Sequence, residues 1–351
     1  MHIPAAFGRL ALFLLPLVVI APAHAAHDGA RLYAANCAAC HGSNGTGGVG
    51  VPLALPDFLS QADDDYLRKT IRHGRPGRVM PAFTKLSDAE VNAIVRQVRS
   101  WQTVAAVPVP KVGRGDAANG AKLYATRCAS CHGARGEGGH GTGVTFSRPR
   151  NLPVLPPALN NAGFLASATD AMIKAVLEHG RASTPMVSFR RAGLSDRDLD
   201  DLVAHVRGFA KTSPAAAVKH TQDDPPVLVR VSGNSMKDTI ERLKGAISGA
   251  NMKLIRIAPY DEGLLEKGQE NSRRMLVDAC DFEFVNQALA VDPRIGLFLP
   301  CRFTLVEEAG KVRIMTINPK RLAVLFNNTE LDELCAKMHA VYVDILEEAT
   351  L

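Results

Sequence analysis

Cys37-Ala38-Ala39-Cys40-His41-Gly42 and Cys128-Ala129-Ser130-Cys131-His132-Gly133 decide how the rest of the chain is read. Each is a Cys-x-x-Cys-His pentad closed by glycine, and the two stand 91 positions apart. The same offset relates what precedes them: Gly29-Ala30-Arg31-Leu32-Tyr33-Ala34 recurs as Gly120-Ala121-Lys122-Leu123-Tyr124-Ala125. Further on the offset becomes 106, pairing Phe58-Leu59 with Phe164-Leu165, His73-Gly74-Arg75 with His179-Gly180-Arg181, Met80 with Met186 and Phe83 with Phe189. The second copy has thus gained 15 residues, between Gly133 and Phe164, in a stretch rich in glycine and proline. A repeat this long is a duplicated domain, not a solenoid period.

Each copy follows one helical plan. A helix approaches the pentad and a Gly/Pro-rich loop follows. A middle helix runs over Asp64–His73 or Asp170–Glu178, and a turn carries the methionine. A last helix is capped by Ser87 or Ser195. Val91, Ile94, Val95 and Val98 give that helix an apolar face, as do Leu199, Leu202, Val203 and Val206 in the second copy.

Cys-x-x-Cys-His is the signature of covalent haem c attachment. The two thiols add to the haem vinyl groups, and the adjacent imidazole meets the iron from the proximal side. A thioredoxin-like redox pair needs a βαβ setting, and a zinc site needs a second close ligand pair; neither pattern is present. We therefore expect two covalently attached haem c groups, held by Cys37, Cys40 and His41 and by Cys128, Cys131 and His132. The distal ligands expected are Met80 and Met186, since a thioether is a soft ligand and Met/His ligation raises the haem potential. Met80 lies 39 residues after His41, and Met186 lies 54 after His132, the excess being the insertion. His73 and His179 are the competing ligands, read instead as helix-terminal residues, and His140 has no counterpart in the first copy. Leu53, Leu55, Phe58, Val79 and Phe83, and in the second copy Leu159, Phe164, Val187 and Phe189, are the expected wall residues. A macrocycle at the centre of each unit would explain how they form cores with only 5% aromatic residues in the chain.

On these pentads, the His-Gly-Arg segments and the methionine turns, residues 26–212 resemble two tandem class I cytochrome c domains. The resemblance implies small all-helical domains, one haem c each, and one-electron transfer at an exposed haem edge. One departure is that Pro185 precedes Met186, whereas Pro81 follows Met80.

The last third reads differently. Val227–Val231, Met252–Ile257, Arg274–Ala279, Ile295–Val306 and Val312–Ile317 are strand-like, with a hairpin at Glu308-Ala309-Gly310. Helices are expected after a cap at Asn234, over about 283–290, and over Thr329–Glu348. The order of elements points to a small α+β (α/β sandwich-like) domain that packs helices on a sheet. Through Gly296-Leu297-Phe298-Leu299-Pro300-Cys301-Arg302 and the hairpin, it resembles a bacterial domain family of unknown function, number three hundred and two, which implies a fold but no activity. Cys280 and Cys301 fall on neighbouring strands, where either a disulfide or two buried thiols would fit. The spacing of Ser232, His339 and Asp344 does not support a hydrolase.

The expected organisation is a signal segment over 1–25, cytochrome domains at 26–104 and 116–212, linkers at 105–115 and 213–226, and the α+β domain at 227–351. Arg9, the apolar run Leu10–Ile20 and Ala23-His24-Ala25 fit a cleaved signal and hence a periplasmic protein with no membrane span after cleavage. Of the net charge of +6, residues 111–212 carry all six units, which points to redox protein partners with an acidic docking surface for the second domain. No basic run interleaved with aromatics suggests nucleic acid. The expected function is one-electron transfer between redox partners, with an accessory or binding domain at the C-terminus. The alternatives are a haem-dependent oxidoreductase acting on a small sulfur compound or peroxide at an open second haem, and a redox or ligand sensor.

Overall fold

The computed structural model describes residues 28–140, 156–182, 184–212 and 224–351. The expected signal segment, most of the second linker and residues 141–155 in the stretch of the insertion lie outside the described residues.

The first copy consists of α1 (Gly29–Asn36), the one-turn α2 (Ala38–His41), α3 (Pro56–Gln61), α4 (Asp64–His73) and α5 (Asp88–Arg99). The second repeats it with α6 (Ala117–Arg127), α7 (Ala129–His132), α8 (Ala162–Ser167), α9 (Asp170–His179) and α10 (Asp196–Thr212). Both last helices start as the sequence predicts. Ser87 accepts from the Glu90 N–H at 3.3 Å and Ser195 from the Asp198 N–H at 3.2 Å. The carboxylates of Glu90 and Asp198 accept from the serine N–H groups in return, at 2.8 and 2.9 Å. This reciprocal cap satisfies donors that a helix start otherwise leaves open.

In each copy the first and last helices cross at a glycine. A Cβ on Gly29 would overlap the Ala93 carbonyl of α5, and one on Gly120 the Asp201 carbonyl of α10. Beside these crossings lie Tyr33 and Tyr124, each buried, each donating its hydroxyl at 2.8 Å to the carbonyl of the glycine that closes the pentad. Trp101 packs edge-on to Tyr33 with centroids 5.0 Å apart, and Phe209 does the same for Tyr124 at 5.4 Å. Arg99 and Arg207 fasten the last helices to the corners before α4 and α9. Each donates to a carbonyl at 2.7 Å (Leu59 or Leu165), to a second carbonyl (Ala62 or Ala168) and to an aspartate (Asp64 or Asp170).

The two copies meet through equivalent surfaces. α3 lies against the turn after α9: Gln61 Nε2 donates to the Gly180 carbonyl at 2.7 Å, and Asp57 accepts from the Ala182 N–H. α8 lies against the turn after α4: Asn161 Nδ2 donates to the Pro76 carbonyl at 2.9 Å, and Gly163 leaves no room for a Cβ beside the Gly74 carbonyl. Positions 57 and 163, and 76 and 182, correspond under the 106-residue offset, so the contact is pseudo-two-fold.

The C-terminal domain is a five-stranded antiparallel sheet with helices, the expected α+β class. Its strands are β1 (Val227–Ser232), β2 (Lys253–Pro259), β3 (Arg274–Cys280), β4 (Cys301–Glu308) and β5 (Lys311–Ile317), in the order β1-β5-β4-β3-β2. Helices α11 (Met236–Gly249), α12 (Phe282–Val291), α13 (Lys320–Leu325) and α14 (Asp332–Glu348) complete it. Val277, Ala279, Phe303, Leu305, Val312 and Ile314 form one face and are buried together with Leu243 and Ile247 of α11 and Tyr342 and Ile345 of α14. The alternation along β4 and β5 has this cause, since successive side chains point to opposite faces. On the other face the buried Asp278 carboxylate accepts from Arg302 Nε at 2.7 Å and lies 3.5 Å from Arg256 Nε. Ala309 and Gly310 both take positive φ, 49° and 73°, which fits the β4–β5 hairpin to the strand twist.

Three expectations in this domain change. Ile295–Phe298 is part of a 3-10 turn, not a strand, and β4 begins only at Cys301 after the cis Leu299–Pro300 bond. Ser235, not Asn234, caps α11. The helix expected from Thr329 starts as a 3-10 turn over Thr329–Leu331 before α14. Cys280 and Cys301 are both free, buried thiols, and the residue opposite Cys301 is Ala279.

Candidate haem sites

The pentad turn is built twice with one backbone. Cys37 and Cys128 share φ −123° and ψ −35°, the break between the incoming helix and the one-turn helix of the pentad. The N–H groups of Cys40 and His41 return to the Cys37 carbonyl at 3.1 and 2.9 Å, and those of Cys131 and His132 to Cys128 at the same distances. Gly42 and Gly133 then leave at φ 78° and 77°, a conformation that costs glycine little.

His41 Nδ1 is 2.7 Å from the Val51 carbonyl, and His132 Nδ1 is 3.1 Å from the Pro157 carbonyl. A carbonyl on Nδ1 orients the ring and leaves Nε2 for iron. Burial lowers the pKa of both imidazoles, with the carbonyl opposing it, so the rings are held neutral. Burial and the neighbouring Cys40 push the Cys37 thiol up to about 11, and burial and Cys131 do the same for Cys128. Such thiols stay protonated at neutral pH, whereas a disulfide-exchanging pair works through a lowered pKa. Among the described residues, no three His, Cys, Asp or Glu side chains gather into a metal-holding group. The donor set thus fits a covalently held haem.

The methionine turns share a hydrogen-bond frame. Arg75 N–H donates to the Met80 carbonyl at 2.9 Å and Arg181 N–H to the Met186 carbonyl at 2.7 Å. Phe83 N–H donates to Ile71 at 3.0 Å, and Phe189 N–H to Leu177 at 2.9 Å. Both turns open on a glycine at positive φ, Gly74 and Gly180, where a Cβ would meet the backbone of the returning chain at 2.5–2.6 Å. The shifted proline around Met186 leaves this frame unchanged. Both methionines are half-buried, and Met186 packs on the cluster that also holds Cys128, Leu159, Phe164 and Phe189. In the first copy Cys37, Leu53, Leu55 and Phe58 pack on the same continuous cluster, while Val79 and Phe83 are half-buried in the methionine turn. Val187 is 54% exposed. His73 and His179 are exposed in the last turns of α4 and α9, as expected, and His140 is exposed as well.

Sequence reasoning missed three contributors. Gly50 lies against the His41 ring so closely that a Cβ would come within 2.8 Å of it. Arg181 leaves its own copy and lies 5.2 Å over the Phe58 ring, while its equivalent Arg75 stays at home on Tyr66 and Thr70. Asn327 reaches the Met80 turn from the C-terminal domain. The Gly-rich run before Val51 was a visible signal for the first, and the repeated His-Gly-Arg segment marked Arg181 but not its reach into the other copy; nothing in the sequence marked Asn327.

The family described as cytochrome C oxidase, cbb3-type, subunit III matches residues 24–96 and 115–206, and domain of unknown function DUF302 matches residues 228–349. The chain is a tandem pair of cytochrome c domains joined to a DUF302 domain. Tandem cytochrome domains of this kind bind two haem c groups, one each, and transfer electrons. Relatives include the cbb3-type cytochrome c oxidase subunit CcoP of Azospirillum sp. (strain B510), 29% identical over 195 residues, covering 52% of this chain and 61% of the relative. The oxidase subunit FixP of Azorhizobium caulinodans is 32% identical over 120 residues, covering 32% and 39%. The chain therefore spans about two-fifths to three-fifths of the length of these relatives. A DUF302 protein from Bacillus stearothermophilus aligns at 23% identity and TM-score 0.33, over 36% of this chain and 99% of its own. The Kuenenia stuttgartiensis reducing HAO-like protein complex aligns at 20% identity and TM-score 0.38, over 52% and 96%.

The relatives overturn the expectation of a periplasmic protein freed by signal cleavage. They are oxidase subunits, a class usually anchored in the membrane through an N-terminal helix. An apolar run near the N-terminus has the same composition in a signal and in an anchor, and Leu10–Ile20 did not separate the two. Among the described residues, no helix is long and apolar enough to cross a membrane.

Proposed function

We propose that the cytochrome domains form an electron relay with two six-coordinate haems. Cys37 and Cys40 carry the first haem and Cys128 and Cys131 the second; His41 and His132 are the proximal ligands, Met80 and Met186 the distal ones. The observation that supports this reading is the hydrogen-bond frame shared by the two methionine turns, Arg75 N–H to the Met80 carbonyl and Arg181 N–H to the Met186 carbonyl. When bound, each haem supplies a one-electron couple whose potential Met/His ligation raises. The chain's own part is to fix the imidazole through Val51 or Pro157, to shield the thioether turn, and to hold the two copies in one register through α3 and α8. With both irons saturated there is no open position for a small substrate, so a carrier is favoured over an oxidoreductase centred on the second haem.

By likeness to the oxidase subunits, this relay receives an electron from one protein and passes it to another. The basic second domain, with its six units of net positive charge over residues 111–212, is the docking side for an acidic partner. Absorbance spectra of the purified holoprotein in both redox states, with a pyridine haemochrome count, test the ligation. Two haems per chain and a full-strength sulfur-to-iron charge-transfer band for both are expected; a half-strength band or a high-spin signal would overturn it. Electron transfer with the partner should slow as ionic strength rises, and a salt-independent rate would sink the docking claim.

A further inference from the structure

The Met80 turn is gripped from the C-terminal domain as well as from the other cytochrome copy. Asn327, the second residue after α13, sits at φ 49°, a left-handed conformation that asparagine tolerates better than most residues. Its side-chain amide nitrogen lies 2.6 Å from the Arg78 carbonyl and 3.1 Å from the carbonyls of Arg75 and Met80. Its amide oxygen accepts from the Gly77 N–H at 3.2 Å. Two residues on, Thr329 donates both its backbone N–H and its hydroxyl to the Gly77 carbonyl, each at 3.0 Å. Gly77 takes φ 72°, and a Cβ there would lie 3.1 Å from Thr329 Oγ1, so the Thr329 side chain packs where a side chain at 77 would begin. Glu330 closes the seam with an ion pair to Arg78, whose guanidinium also donates to the carbonyls of Glu137 and Gly139 in the second copy. The equivalent turn at 180–186 is held by Gln61 and Asp57 of the first copy.

We propose that Asn327 is a positioning residue for Met80: the DUF302 domain holds the turn from 75 to 80 closed and thereby sets the axial ligation of the first haem. The inference rests on the assignment of Met80 as a distal ligand. Its physical content is a population. For the thioether to leave the iron the turn must shift, and the turn cannot shift without breaking the bonds to Asn327 and Thr329. The C-terminal domain is then a control on one of two otherwise similar redox centres, and a change at Asn327 acts first on the methionine turn of the first haem.

The test uses the full-length, two-haem ferric protein and imidazole as a probe that must displace the methionine. An entering ligand binds in proportion to the open fraction of its site. One lost hydrogen bond is worth about fivefold in such an equilibrium, and Asn327 makes several. Asn327→Ala should therefore raise the imidazole affinity of one haem by about tenfold and lower its midpoint potential, leaving the other haem unchanged. Met80→Ala and Met186→Ala serve as references that identify each haem by the half of the charge-transfer band it removes. If Met80→Ala leaves the band whole, the ligand assignment fails and the inference with it. If Met80→Ala removes half the band but Asn327→Ala leaves imidazole affinity and potential unchanged, or alters both haems equally, the positioning role alone is overturned. Should Asn327→Ala not fold with two haems, Thr329→Val, which keeps the side-chain shape and removes one bond to Gly77, is expected to raise the affinity of the same haem by about twofold to fivefold. No change there would equally overturn the proposal.

Discussion

The two cytochrome copies agree where the pentad is held and part company where their outer helices meet the rest of the chain. Tyr33 and Tyr124, Gly29 and Gly120, and Arg99 and Arg207 do the same work at equivalent places, down to the carbonyl that each side chain bonds or each glycine lies against. At position 68 of the first copy an arginine is half-buried on α4, while its equivalent Lys174 on α9 is fully buried. Lys174 Nζ lies 2.7 Å from Asp200, 3.1 Å from Asp196 and 2.7 Å from the Lys111 carbonyl, so it ties α9 to α10 and to the linker before the second copy. The lesson is that the turn carrying the pentad admits little change, whereas helix surfaces are free to acquire partners suited to their neighbours.

The sharpest way to break the first half of that comparison is at the crossings. Gly29→Ala or Gly120→Ala places a Cβ inside a backbone carbonyl that cannot rotate away. Each should cost about 3 kcal/mol, at the upper end for overpacking, and lower the melting temperature of its own copy by about 10 °C or more. A loss under about 0.5 kcal/mol in either copy would show that the crossings are not equivalent.

Next in size is the asymmetric lysine. Lys174→Met should destabilise the second copy by about 2–3 kcal/mol, because Asp200 then loses its buried partner. Arg68→Met should stay within about 0.5 kcal/mol for the first. Burial works against the Lys174 charge, but the carboxylates of Asp200 and Asp196 outweigh it and raise its pKa above the ordinary 10.5. A raised pKa means that the stabilisation is complete below that value and fades as the pH climbs through the folded one. Melting curves of wild type and Lys174→Met should therefore keep a constant gap from pH 7 to about 10 and converge above it. A gap that closes on acidification in that range would contradict the assignment.

The smallest effect sharpens the likeness. Ser87→Ala and Ser195→Ala should each cost about 1 kcal/mol in chemical denaturation, and the two values should agree closely because the caps share their geometry.

Much of this architecture was legible in the sequence, and the rest was hidden for stated reasons. The pentads and the caps at Ser87 and Ser195 are local patterns, read from a few neighbouring residues, and the offsets follow from setting one copy against the other. The strands of the last third were read from short apolar or β-rich runs and from the hairpin at Glu308-Ala309-Gly310. Ile295–Phe298 misled because a short apolar run fits a strand or a helical turn equally well. α13, only six residues long, offers too little periodicity to be seen. Gly29 and Gly120 were visible as repeated residues, but the carbonyls that demand them lie on another helix. Asn327 and Lys174 are ordinary polar residues whose importance comes wholly from what folding brings to them.

The seam between Gly77 and Asn327 also sets an order of assembly. Its hydrogen bonds join residues 247 to 252 positions apart. The copy made first by the ribosome is thus finished after the second, since its methionine turn waits for residues 327–329 to emerge. A chain cut short before residue 327 would complete the later copy and leave the earlier one with an open edge, reversing the usual expectation that N-terminal domains are the most self-sufficient.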